Sequence, residues 1–248
     1  MKKVISILLA LCLVFSLGVS VFATEDNEDN EELIFYNGEW YTQYDLAHSE
    51  EVFNYYYNEG LKISNRNQTR APVHDYYFLS VPRYFQNDSR WGNTQMPCGH
   101  SSHTYGAVGC MITSYAMVLK YYGNNVTPVD VATTYQNNHG NCCNPASSTL
   151  LGDYNRTRQL TDVSGKSFSF ISTAIAGAID QNKPVVIKLN ATSSGNHFVV
   201  AYGYNVLANG TISISIRDPW SVNGTDQYST LNAAYSAGRS ALSLSIVS

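Results

Sequence analysis

Between residues 106 and 123, apolar side chains recur at Met111, Ile112, Tyr115, Ala116, Val118, Leu119 and Tyr122. That is the three-and-four spacing of one helix face, and Gly123 closes the run. A second helix is predicted from Thr127-Pro128, a cap followed by proline at the first helical position, to about Asn137. A third starts at Ser147 or Ser148, and a fourth covers 172–182 and ends before Pro184. The period then changes from helical to strand-like. Residues 185–189, 197–202, 211–216 (after the Asn209-Gly210 turn) and 241–247 read as strands. Residues 77–81 predict an earlier strand, closed by Pro82. Helices first and antiparallel strands second is an α+β order, and no internal repeat interrupts it.

The N-terminus carries a different pattern. Residues 1–23 read as a secretory signal peptide: Lys2 and Lys3, an apolar stretch over 4–22, then Val21-Phe22-Ala23 at the cleavage site. The chain is therefore expected to be exported, and no other segment is apolar enough to span a bilayer. Residues 24–61 form an acidic leader, 62–75 a polar linker containing Pro72, and 76–248 a globular domain. Residues 24–59 hold eleven acidic side chains and no Lys or Arg, whereas 60–248 hold thirteen Lys/Arg against eight Asp/Glu, a net of +5. An acidic leader before a mildly cationic domain reads as a pro-segment, able to act as an intramolecular cover and inhibitor. It has side chains to fold with, among them Leu33, Phe35, Trp40 and Tyr41, and a helix is predicted over 49–57 with Ser49 as its cap. Arg66 and Arg70 are candidate cleavage points. The domain's charge is too modest for a nucleic-acid partner, and a monomer is expected.

Candidate chemistry begins at Cys110, the first residue of the 106–123 helix pattern. Unpaired N–H groups and the helix dipole favour negative charge there, which raises a cysteine's thiolate fraction. Gly106 and Gly109 leave space for a substrate backbone. A nucleophilic thiol also needs an imidazole and a group to orient it. His197 enters a strand from a polar, glycine-containing turn. Asp218 ends the following strand. If 198–204 and 211–217 are antiparallel neighbours, Asp218 lies beside His197 and fixes its tautomer. Asn205 is a weaker candidate for that role, being at the far end of the His197 strand.

These residues carry a resemblance. Gly109-Cys110-Met111-Ile112-Thr113, the run His197-Phe198-Val199-Val200 with Gly203-Tyr204, and Asp218-Pro219 are similar to the motifs of papain-like cysteine peptidases. More narrowly, they are similar to those of the branch related to bacteriocin-processing peptidases. The resemblance covers roughly 78–248. It implies an N-terminal helical half whose nucleophile helix packs on a C-terminal antiparallel sheet. It also implies that Cys110 is the nucleophile, His197 the base, Asp218 the orienting group and Gln86 the oxyanion donor, without a cofactor. The Gln86 spacing departs from the family pattern, because relatives keep this glutamine only a few residues before the cysteine. The expected substrate is a protein or peptide. Cleavage of cell-wall peptide amides by the same triad, or a non-catalytic binding module on the same fold, are the alternatives.

The remaining cysteines stay open at this level. Cys98 can pair with Cys142 or Cys143 in an exported protein. Alternatively Cys98, His100 and His103 on one loop and His139, Cys142 and Cys143 on another offer zinc-type ligands, or the thiols are free.

Overall fold

In a computed structural model of the chain, the described residues are 33–36, 39–68, 76–192 and 195–248. The expected signal peptide, its expected cleavage site and Arg70 lie outside them. The fold is α+β and papain-like, with helices packed on an antiparallel sheet.

The leader opens with a hairpin of β1 (Leu33–Tyr36) and β2 (Glu39–Thr42). It continues as α1 (Gln43–Gln68), much longer than the predicted 49–57 helix and running into the segment expected to be linker. The cap explains the earlier start. Thr42 N–H donates to Asp45 Oδ2 at 2.8 Å and Asp45 N–H donates to Thr42 Oγ1 at 3.0 Å. This reciprocal arrangement satisfies two otherwise orphaned donors. Ser49, the expected cap, instead accepts from the backbone N–H of Asp162.

After β3 (Tyr76–Phe78) come α2 (Tyr105–Val108), α3 (Cys110–Tyr121), α4 (Pro128–His139) and α5 (Ser147–Gly152). Then follow β4 (Arg158–Asp162), α6 (Phe168–Ile179), β5 (Val185–Thr192), β6 (Gly195–Val206) and β7 (Ile212–Arg217). A short hairpin of β8 (Ser221–Val222) and β9 (Thr225–Asp226), α7 (Leu231–Ser236) and β10 (Ala241–Val247) complete the chain. The sheet runs β3-β6-β5-β10-β4, with β7 also paired to β6. β6 and β7 are antiparallel, with Val200 opposite Arg217. The α6 helix begins at its Ser167 cap rather than at Ser172.

The nucleophile helix α3 buries every residue from Met111 to Leu119. Each fully buried large apolar side chain there contributes roughly 1.5–3 kcal/mol. Ser114 Oγ ties it to the Phe198 carbonyl at 3.2 Å and Tyr115 OH to Ser245 Oγ at 2.9 Å, which sets the helix against β6 and β10.

The leader is built into the same core: Val52, Phe53, Tyr56 and Ile63 are buried in it. Its helix crosses α6 where two glycines meet. A Cβ on Gly60 would lie 1.9 Å from the Thr173 carbonyl oxygen, and one on Gly177 would lie 2.1 Å from that of Tyr56. Buried charge joins the seam as well. Asp45 Oδ1 accepts from Arg158 Nη1 at 2.9 Å. Glu39 accepts from Ser243 Oγ at 2.5 Å and Ser147 Oγ at 3.3 Å. It also offsets part of the burial that pulls the Lys188 ammonium below its ordinary pKa.

Candidate active site

Cys110 sits where two helical segments abut. Thr104 caps α2 by accepting from Ala107 N–H, and Gly109 joins α2 to α3. Gly109 is required by its own chain, because a Cβ there would stand 2.3 Å from the Tyr105 carbonyl oxygen. Gly106 packs against the Gly92 carbonyl, which a Cβ would approach to 2.8 Å. Both glycines therefore serve close backbone packing, and Gly106 also lines the cleft in front of Cys110.

His197 stands near the start of β6 and Asp218 just beyond the end of β7, so the β6–β7 pairing brings them together. His197 Nε2 and Asp218 Oδ1 are 2.7 Å apart. Asp218 is fully buried, and it also accepts from the N–H groups of Trp220 (2.8 Å) and Tyr228 (3.3 Å). Its own N–H donates to Asp226 Oδ1, and Asp226 is bridged to Arg83 at 2.8 Å. Burial pushes the Asp226 carboxyl up despite that arginine. For His197, burial opposes the charged ring. The hydrogen bonds to Asp218 and to Cys110 outweigh it and push the imidazole from 6.5 up to about 9. The structure thus unites Cys110, His197 and Asp218. Asn205 pairs instead with Tyr76 and Ser213, away from His197.

Gln86 belongs to the same site despite the long spacing. Its Nε2 donates to the Gly106 carbonyl at 2.8 Å, and its backbone N–H donates to the Pro219 carbonyl at 2.7 Å. Asn87 exchanges two hydrogen bonds of 3.0 Å with the Ser221 backbone. The 86–87 segment is therefore pinned both to the Cys110 turn and to the Asp218 loop. A cleft of about 380 Å³ runs between them, lined by Gln86, Ala107, Cys110 and His197. Asn196, Trp220, Gln227 and Arg239 also line it, and sequence reasoning named none of these four as a site residue. Part of the signal was present. Asn223-Gly224, both at positive φ, is the turn that folds β8 and β9 back beside Asp218.

Cys98 and Cys143 form a disulfide with Cα atoms 5.9 Å apart, a normal separation for such a bond. Cys142 is left as a buried thiol, pushed up by burial. His103 Nδ1 lies 3.1 Å from Cys143 Sγ, so the cluster proposed for a metal is drawn together around bonded sulfurs. His139 goes elsewhere, to Asp153 at 2.9 Å.

A cysteine at a helix start, facing an imidazole held by a buried carboxylate beside a cleft, is the arrangement of a papain-like cysteine peptidase. The model of the Peptidase_C39 like family matches residues 78–240. The chain belongs to that family and is a cysteine-type peptidase. Among solved structures, a C39-like peptidase from Bacillus anthracis is similar at 19% identity, over 70% of this chain and 98% of that one, with a TM-score of 0.38. No curated protein matches the chain.

Proposed function

We propose that the protein is an exported peptidase that hydrolyses peptide bonds through a thioester on Cys110. The observation that carries this reading is the His197–Asp218 hydrogen bond, in a ring that also bonds Cys110 and is charged at neutral pH. A cationic imidazole beside a cysteine sulfur favours the thiolate, the form that attacks a carbonyl. In the first step the Cys110 sulfur bonds to the substrate carbonyl carbon. The oxyanion is met by the Cys110 backbone N–H, one of the first-turn donors that lack an intrahelical partner, and by the Gln86 amide. His197 then gives its proton to the leaving amine, and the C–N bond breaks. In the second step His197 takes a proton from water as the water attacks the thioester, and the thiolate leaves. Asp218 holds the ring throughout.

Export rests on the signal-peptide pattern of residues 1–23. The leader admits a reading beside that of a pro-segment. None of its described residues lines the cleft, and its side chains complete the core. We therefore propose that residues 39–63 remain part of the active fold, in place of an inhibitory cover. Chain 24–248 and its Cys110→Ala variant should be compared on casein-like peptides, with and without a thiol-directed inhibitor. Cleavage by the parent, abolished by the inhibitor and by the substitution, is the expected result. Turnover that survives Cys110→Ala, or hydrolysis of amide bonds in purified peptidoglycan without cleavage of the casein-like peptides, would overturn the peptidase assignment.

A further inference from the structure

Among the described residues, one cluster of metal-ligating side chains lies outside the cleft and takes no part in the mechanism. Cys98, His103 and Cys143 bring their donor atoms within 4.8 Å of one another. His103 Nδ1 stands 3.1 Å from Cys143 Sγ and 3.9 Å from Cys98 Sγ. A tetrahedral ion of the zinc type, with bonds of about 2.0–2.3 Å, holds its donors about 3.5–3.8 Å apart. The imidazole nitrogen therefore already sits near ligand spacing from both sulfurs. All three residues are half-buried, so the cluster is open to small solutes.

Backbone hydrogen bonds hold these positions without help from the disulfide. In the first loop, Met96 N–H donates to the His103 carbonyl at 2.8 Å, Tyr105 N–H to the Thr94 carbonyl at 3.1 Å and His103 N–H to the His100 carbonyl at 3.0 Å. Gly99, at φ +81°, supplies the turn between Cys98 and His103. In the second loop, Cys142 N–H donates to Gln136 Oε1 at 3.1 Å and Asn144 N–H to the Asn141 carbonyl at 3.2 Å. The Cys142 side chain is packed in the core and anchors that loop next to Cys143. Opening the Cys98–Cys143 bond thus leaves two sulfurs and a ring nitrogen facing one another. Two thiolates and an imidazole are a donor set that suits zinc.

We propose that Cys98, His103 and Cys143 form a redox-gated site for a thiophilic divalent cation of the zinc type. Oxidised, the two sulfurs are bonded to each other and the site is shut. Reduced, Cys98 Sγ, Cys143 Sγ and His103 Nδ1 hold the cation, and water takes the fourth position. The reductant is a small thiol, RSH. One RSH attacks a disulfide sulfur, which gives a mixed disulfide and frees the other cysteine. A second RSH resolves the mixed disulfide, so that RSSR leaves and both cysteines are thiols. The cation then displaces one proton from each thiol. The site stands apart from the peptidase reading of the cleft.

The test uses chain 24–248, reduced with a phosphine, freed of it and titrated without oxygen. The probe is Co2+, whose visible bands report tetrahedral geometry and whose near-ultraviolet charge-transfer band reports thiolate ligands. The reduced chain should bind one equivalent with both signatures, and Zn2+ should displace it. The oxidised chain should show neither. Zn2+ should also raise the melting temperature of the reduced chain and leave that of the oxidised chain unchanged. His103→Ala keeps the disulfide, so its oxidised form is a folded control. Once reduced, it should bind Co2+ about tenfold or more weakly than the parent. Cys98→Ser and Cys143→Ser should each lose the parent signature, whereas Cys110→Ala and Cys142→Ala should keep it. A reduced chain without a thiolate band would overturn the proposal. So would full affinity in His103→Ala, or a band that disappears with Cys110→Ala or Cys142→Ala. A disulfide that resists reduction in the folded chain, or unfolding on reduction that Zn2+ does not reverse, would overturn it as well.

Discussion

Two carboxylates are buried almost equally deeply in this molecule, Asp218 at 0% exposure and Glu39 at 4%, and they do opposite jobs. Glu39 accepts from two serine hydroxyls in the seam between the leader and the core. Its neighbour Asp45 pairs with an arginine that is itself buried. These partners hold their protons over the physiological range, so the seam is locked. Asp218 accepts from backbone N–H groups and from an imidazole that opens onto a cleft. Its partner is a titratable ring, pushed up to about 9. The difference teaches that burial alone does not make a carboxylate functional. A titratable partner with an open face does.

The comparison breaks most sharply at the sulfur. Cys110→Ala should lower kcat/KM by about 10⁴-fold or more while leaving the melting temperature near that of the parent. Parallel kinetics and calorimetry check it. Asp45→Ala should do the reverse. It leaves Arg158 buried without its carboxylate and costs about 3–5 kcal/mol of stability. Denaturant unfolding should show that loss, with kcat per folded molecule retained. Gln86→Ala should cost ~2.7–4 kcal/mol in transition-state stabilisation, read as a fall in kcat rather than a rise in KM.

The smallest effect is a pH dependence. His197 titrates higher in the fold, at about 9, than the ordinary 6.5. The stability it contributes is therefore fully present below about pH 6.5 and lost as pH rises through about 9. Melting temperatures taken across that interval should decline, and Asp218→Asn should flatten the decline.

Much of the catalytic half was legible because its signals are local. The α3 stripe, the Thr127-Pro128 start of α4, the apolar run of β6 and the twofold alternation of β7 each stand within a dozen residues. Pairing those two strands was enough to place Asp218 beside His197. The leader's burial was not legible, because it depends on distant partners. Gly60 meets Gly177, and Asp45 meets Arg158. No local pattern marks either contact, and the acidic segment read as a pro-segment. Its helix start was nevertheless readable, since Thr42 and Asp45 have capping-box spacing. Arg239 was missed for a related reason. It follows a six-residue helix with no strong periodicity, and only the fold carries it to the cleft.

The central claim is that sulfur, imidazole and carboxylate form one electrostatic unit. The most direct measurement is the NMR titration of the His197 ring in chain 24–248 and in two variants, Cys110→Ala and Asp218→Asn. The parent ring should titrate at about 9, and each variant should titrate lower. A ring that titrates near 6.5 in the parent and does not respond to either substitution would contradict the account.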